Sequence, residues 1–395
     1  MRLNKKIVLV ILVAFVLTIA AGCSGTPKKE APAPEKPKEI VIGANFELSG
    51  NVATFGQSIM NAMEMAIAEI NASGGVLGAN LKMVKADNKS DAAESTNCAT
   101  KLITQDKVVA LLGPVTSTNV LAASPVAEQY KIPLLTPTGT ASKLTVDDSG
   151  KTKPYIFRNC FIDPFQGLVG ANFALNTLKA KTAAIFIEKN SDYAKGLCEV
   201  FEKTFTEKGG KIVAKEAFVT EDKDFRAPLT KIKSTNPDVL YVPSYYEQDG
   251  LIAKQARELG YTNPIVGADG WDSSKLLEIA GAKALQKVYF TNHYSAFSTD
   301  PKVVKFVNDY KAKYGSVPDA LAALGYDATY LMADAIKRAG APDPAKIRDA
   351  LENTKGFQGV TGTITMDDKH NPVKSAVILS FDKDGNQIFV ESVNP

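Results

Sequence analysis

From residue 39 onward, short apolar runs alternate with stretches whose apolar residues recur every three or four positions. The first run, 40–44, is β-rich, and 56–70 then carries Ile59, Ala62, Met63, Ala66, Ile67 and Ile70 at helical spacing. A Gly-rich break at 71–78 precedes a strand at 81–86, a helix at 92–105, a continuous apolar strand at 108–112, a helix at 118–130 and a strand at 132–135. The alternation resumes after Arg158. Helices are predicted at 165–179, 193–208, 225–234 and 250–259, with strands at 182–187, 211–217, 239–242 and 264–266 between them. Further helices are predicted at 273–280, 301–313 and 320–339. Repeated strand–helix–strand units imply parallel sheets covered on both faces. Two such runs, 40–158 and 165–292, predict an α/β chain of two doubly wound parallel-sheet lobes.

The end of the chain reads differently. Residues 359–366 and 375–381 alternate like antiparallel strands, and Asp382-Lys383-Asp384-Gly385-Asn386 leads into 387–393. That string looks like part of a calcium loop, but it lacks a Glu at the twelfth position, and a hairpin turn accounts for it better.

The first residues bear on compartment. Arg2, Lys5 and Lys6 precede an uncharged apolar run at 7–21, which ends in Ala20-Ala21-Gly22-Cys23. A positive start, an apolar middle and small residues at the end describe a secretory signal peptide over 1–22, and the run is shorter than a membrane-spanning helix requires. The last four residues resemble the lipobox of bacterial lipoproteins, with Ala20 where Leu is usual, and make Cys23 the candidate lipidation site. The alternative is a plain signal peptide cleaved near Cys23. Residues 23–39 are Pro- and charge-rich with nothing to bury, which reads as a tether.

Composition narrows the chemistry. The 395 residues carry a net charge of +3 with no dense basic tract in the body, so nucleic-acid binding has no support. The only two histidines are His293 and His370, and Cys98, Cys160 and Cys198 are not in CxxC spacing. Structural zinc and Cys-His catalysis are therefore not expected, and no metal or cofactor is. A Cys160–Cys198 disulfide stays open. No nucleophile elbow, P-loop, HExxH or dinucleotide fingerprint is present, and the chain is read as a non-enzyme.

In open α/β sheets ligands bind beyond the carboxyl ends of the strands. The loop 45–56 follows the first strand and places Phe55 near a helix start. The loops 113–119 and 136–142 put Thr116, Ser117, Thr138, Gly139 and Thr140 at two further strand ends, where hydroxyls and free amides suit a carboxylate. The competing role for these residues is helix N-capping. In the second run Tyr193, Tyr245, Tyr246, Asp269 and Trp271 follow successive strands. An acid among aromatics suits an ammonium group.

The stretches IGANFELSGNVATFG, EINASGGVLGANL, LLGPVTSTNVLAASPVAEQYKIPLLTPTGTA, DYAKG, VPSYYEQDGLIAKQARELG, VGADG and LGYDATYLMADAIKRAG, in this order, resemble the type I periplasmic solute-binding proteins, specifically the branched-chain amino-acid (Leu/Ile/Val) receptors of ABC transporters. The resemblance covers roughly 40–395. It implies a three-crossover hinge near 158–162, 290–294 and 366–373, with lobe I from 40–160 and 293–366 and lobe II from 161–292 and 367–395. It implies that Thr116, Ser117, Thr138, Gly139 and Thr140 hold a ligand carboxylate, that Tyr193, Tyr245 and Asp269 hold its amino group, and that Phe55 covers its side chain. Asp269 stands where these receptors often have Glu, Trp271 adds bulk beside it, and an aromatic of the 315–325 segment is replaced around Leu321. The family disulfide in the first lobe is not matched. A monomeric, lipid-anchored, extracytoplasmic receptor is implied, with an amino acid as ligand, closing about its hinge and delivering to an ABC permease and its ATPase. A receptor for an amide, urea or aromatic acid, or a sensor for a membrane signalling partner, is the alternative on the same fold.

Overall fold

The computed structural model describes residues 38–395. The signal peptide at 1–22, Cys23 and all but the last residues of the tether lie outside the described residues. Glu39, read as tether, opens the first strand.

The first sheet is built from β1 (Glu39–Phe46), β2 (Asn80–Asp87), β3 (Leu111–Leu112), β4 (Leu134–Thr136) and β5 (Ile156–Arg158), in the order β2-β1-β3-β4-β5 and parallel throughout. Helices α1 (Ala53–Ala72), α2 (Ala92–Thr104) and α3 (Ser117–Tyr130) make the crossovers. The second sheet follows α4 (Asp163–Asn172). Its parallel strands are β6 (Thr182–Glu188), β7 (Lys211–Phe218), β8 (Val239–Tyr241), β9 (Ile265–Gly267) and β10 (Val288–Asn292), linked through α5 (Asp192–Glu207), α6 (Arg226–Ser234), α7 (Tyr246–Glu258) and α8 (Ser274–Ala280). After α9 (Pro301–Tyr314), α10 (Ala320–Ala339), α11 (Pro344–Glu352) and the small hairpin β11 (Phe357–Gly359) and β12 (Gly362–Ile364), the chain adds β13 (Ala376–Phe381) and β14 (Gln387–Val393) antiparallel to the edge of the second sheet. The order there is β14-β13-β10-β9-β8-β6-β7.

Helix starts at the strand ends are fixed by short polar side chains. Asp91, Thr116, Ser191 and Asp319 each accept a hydrogen bond from a backbone N–H in the first turn of α2, α3, α5 and α10. Gly56 lets α1 lie against the end of β1, because a Cβ there would come within 2.1 Å of the Glu47 carbonyl oxygen.

Several expectations shift. The turn 382–386 is the β13–β14 hairpin, closed by the Asp382 N–H donating to the Asn386 carbonyl (2.9 Å) and by Gly385 at φ +85°. The segments 359–366 and 375–381, read as antiparallel strands, enter separate antiparallel pairings: part of the first lies in the small hairpin β11–β12, and the second joins β10. Helix α7 starts four residues before Gly250, because Gly250 is a packing position whose Cβ would meet Ile279 at 2.8 Å. The helix expected over 165–179 ends at Asn172 in a wide π turn, Phe173–Thr177. The short strands β5 and β10 and the polar helix α11 had no clear periodic signal. Cys98, Cys160 and Cys198 are all unpaired.

The chain passes between the two sheets after β5, after β10 and before β13. These connections are pinned to one another. Lys374 Nζ, fully buried, donates to the Asn159 carbonyl (3.0 Å) and to Thr361 Oγ1. Burial pushes its ammonium down to about 8, with the nearby Asp327 carboxylate opposing. Asp272, just beyond β9, accepts from Asn292 Nδ2 (2.8 Å), from Gln387 Nε2 (2.6 Å) and from the Ala320 N–H at the start of α10 (2.8 Å). Helix α10 itself packs against α1, so this carboxylate ties the second sheet to a helix of the first half. Asp272→Ala would leave buried donors without an acceptor, and the expected loss of stability is on the order of 3 kcal/mol in urea unfolding.

Candidate functional site

A cavity with 280 Å³ of atom-free space lies between the carboxyl ends of the two sheets. Phe55, Val115, Ser117, Thr138, Thr140 and Leu321 line it from the first half, and Tyr193, Tyr245, Asp269 and Gly270 from the second. Seven of the residues singled out in the sequence thus meet around one space, and Thr140 and Asp269 share it.

The first-half wall rests on two buried ionisable groups. Glu47, at the end of β1, accepts from the Val115 N–H (2.9 Å), the Thr116 N–H (3.0 Å), the Thr116 hydroxyl (3.0 Å) and Asn119 Nδ2 (2.8 Å). Burial raises its carboxyl, and these hydrogen bonds pull the other way. Its effect is to hold the β3–α3 loop with Ser117 as the first residue of α3, where its amide has no helical carbonyl to meet. Arg158, fully buried at the end of β5, donates to the carbonyls of Gly139 (2.9 Å) and Ala141 (2.7 Å), which fixes the loop carrying Thr138 and Thr140. Asp163, the first residue of α4, lies behind that loop, with its N–H on the Thr140 carbonyl (3.0 Å). Burial pushes its carboxyl up to about 8, with the Arg158 charge opposing, and both of its oxygens lack a hydrogen-bond partner.

The second-half wall centres on Asp269, whose Oδ1 accepts from the Tyr193 hydroxyl (2.6 Å) and Gln166 Nε2 (3.0 Å). Its Oδ2 lies 2.9 Å from His293 Nε2. Burial alone would raise this carboxyl, but the hydrogen bonds from His293, Tyr193 and Gln166 outweigh it and hold the group below its ordinary value. Burial lowers His293, so the ring is a neutral imidazole whose Nε2–H donates to the carboxylate. Tyr193 and Tyr245 stack at 5.2 Å between centroids. Phe55 reaches across from the first half to meet Tyr245 edge-on at 6.1 Å and Tyr246 at 4.9 Å.

Four of the singled-out residues stand off the cavity. Trp271 ends the tight turn Asp269–Trp271, which sends its ring back over Gly267 and its indole N–H to the Val242 carbonyl (2.8 Å). Thr116 is the N-cap of α3 and donates to Glu47, so capping accounts for it. The Gly139 N–H is taken by Thr136 Oγ1 (2.9 Å). Tyr246 is the first residue of α7 and packs behind Phe55. Thr138 lines the cavity, although its hydroxyl donates to the Val115 carbonyl (2.8 Å).

Sequence reading missed Val115 and Gly270 in the lining, and Glu47, Asp163, Gln166 and His293 behind it. His293 follows β10 directly, so recognising 288–292 as a strand would have placed it at a strand end with the others. Among the described residues no group of three or more His, Cys, Asp or Glu is placed to hold a metal ion.

This arrangement of two mainly parallel sheets flanking a shared cleft is the type I periplasmic-binding fold. The family model for the periplasmic binding proteins matches residues 39–386. The chain therefore belongs to that family, in its branched-chain amino-acid receptor branch. It is 31% identical to the Leu/Ile/Val-binding protein BraC3 of Rhizobium johnstonii, over 84% of this chain and 89% of that one. The crystal structure of the leucine-binding protein LivK of Thermotoga maritima superposes with a TM-score of 0.85 at 37% identity, covering 90% of this chain and 99% of that one. The substrate-binding protein LivJ of Streptococcus pneumoniae, in complex with isoleucine, gives 0.84 at 38% identity, covering 89% and 99%.

Replacing Glu47 by Gln substitutes a donor for one acceptor oxygen in a cluster that supplies only donors. A stability loss on the order of 2–3 kcal/mol is expected in chemical unfolding.

Proposed function

We propose that this chain captures a free α-amino acid with an apolar, branched side chain in the cleft between its two halves and delivers it to an ABC permease. The observation that carries the reading is the opposition of Thr140 and Asp269 across one cavity. The ligand carboxylate would lie against Ser117, Thr138 and Thr140 at the start of α3, where the helix dipole favours negative charge. The ammonium would lie against Asp269 and Tyr193. Phe55, Val115, Leu321 and Tyr245 would enclose the side chain, a burial worth about 1.5–3 kcal/mol for Leu or Ile.

In this reading lobe I comprises 40–160 and 293–366, and lobe II 161–292 and 367–395. A zwitterion meets its donors in one lobe and its acceptor in the other only when the cleft is shut, so binding energy stabilises the closed form. The family works outside the cytoplasm, and among the described residues no helix is long and apolar enough to cross a membrane. A lipid on Cys23 and a tether to residue 39 would hold the receptor at the membrane surface as a monomer beside its permease and ATPase. Binding and release of this kind need no catalytic group, and the homologues are solute-binding proteins.

Calorimetric titration with leucine, isoleucine and valine tests the reading, with urea and benzoate as ligands lacking an α-ammonium. Saturable binding of at least one of the three amino acids and none of the controls is expected, and the reverse pattern would overturn the proposal. Asp269→Asn is expected to weaken amino-acid binding by on the order of 3 kcal/mol, since it removes the charge opposite a desolvated ammonium. Thr140→Val is expected to cost about 1–3 kcal/mol, by leaving a carboxylate oxygen without its donor.

A further inference from the structure

Asp269 already has a nitrogen partner before any ligand arrives. His293 Nε2 lies 2.9 Å from Oδ2, while Tyr193 and Gln166 occupy Oδ1. The His293 side chain is completely buried and stacks on Phe161 at 3.7 Å between ring centroids. Its second nitrogen, Nδ1, is buried without a hydrogen-bond partner. A neutral imidazole that gives Nε2–H to the carboxylate keeps a lone pair on Nδ1, which is where an added proton would go. The same residue lines a wider cleft together with Tyr294, Ser295 and Thr361.

We propose that His293 is a titratable counter-ion built into the binding site: its extra proton and the ammonium of an amino-acid ligand compete for the single Asp269 carboxylate, so capture of the ligand at acid pH expels a proton. The inference rests on the amino-acid reading above and extends it to the proton linkage of that same site.

The groups around His293 set the sign. Asp269 and Asp272, both from the turn after β9, favour the imidazolium, whereas Lys374 on the third connection disfavours it. The Asp269 charge raises Asp163 on α4 and Cys160 after β5, and Arg158 lowers both. Burial outweighs the two carboxylates, so His293 titrates below the ordinary imidazole value. Above that range the ring is neutral, Asp269 keeps its full charge for the ammonium, and the ring gives up no proton on binding. Below it the imidazolium and Asp269 form a closed pair. An ammonium entering the cleft then faces a site with no net charge, and binding proceeds once the ring gives up its proton. Affinity therefore falls as pH falls.

Titration calorimetry on the mature wild-type chain decides this, with leucine, isoleucine and valine as probes. Runs at pH 7.5 and pH 5.0, each in two buffers of different ionisation heat, count the protons exchanged. The expected result is more proton released at the lower pH than at the higher, with affinity weaker there by at most the tenfold per pH unit that competition with a single proton allows. His293→Gln keeps an uncharged donor toward Asp269 and leaves His370 in place. It is expected to bind with the same affinity at both pH values and to release no proton. Unchanged wild-type affinity without proton release at pH 5.0 would overturn the inference and leave the proposed function standing. So would a proton release that persists undiminished in the variant. A wild-type chain that binds none of the three amino acids at either pH would overturn both. The wild-type proton count stands even if the variant does not fold.

Discussion

A single desolvated carboxylate organises the second half of this protein. Asp269 sits at the end of a central strand, out of water, and a charge in that position persists only if the surrounding structure supplies donors. Tyr193 comes from the start of α5, Gln166 from α4 and His293 from the end of β10, so three separate elements converge on one group. Their convergence fixes the wall of the cleft. Gln166 also accepts from the Asp269 N–H (2.9 Å) and the Thr291 hydroxyl (2.6 Å), which locks the donor set itself.

The first half solves a complementary problem. In the proposed amino-acid reading its wall presents donors to a carboxylate, and donors in loops drift unless something holds their carbonyls and hydroxyls. Glu47 gathers the amides and hydroxyl of one loop, and Arg158 gathers the carbonyls of the next. Neither residue lines the cavity. Both are buried ionisable groups used as positioning devices, and they explain how short polar loops achieve a fixed geometry. The two walls therefore differ in kind: a helix start and hydroxyls on one side, an acid among phenols on the other.

Much of this was legible before the coordinates. The alternation of apolar runs with helical periodicity located most of the parallel strands, because a strand buried on both faces leaves a dense apolar signature such as Val239-Leu240-Tyr241. Strand-end logic then selected Phe55, Ser117, Thr138, Thr140, Tyr193, Tyr245 and Asp269. What stayed hidden has physical causes. Ile156–Arg158 is three residues long, and its Arg is buried with its guanidinium hydrogen-bonded to loop carbonyls. The helix Pro344–Glu352 is mostly polar. Trp271 looked like a lining residue because its place in sequence beside Asp269 says nothing about which way a tight turn sends the next side chain. Thr116 fitted two roles, capping and ligand contact, and only the position of Glu47 decides between them. His293 was invisible for a related reason, since its partner lies 24 positions away and the pairing is purely tertiary.

The placement of Trp271 also governs how the molecule can be watched. It is the only indole in the chain, it has no solvent exposure, and its one polar bond runs to Val242 within its own half. If the halves move as the proposed function requires, the indole travels with Val242. Its emission will accordingly be that of a chromophore in an apolar solvent, and optical tracking of such a motion calls for a dye attached on the opposite rim.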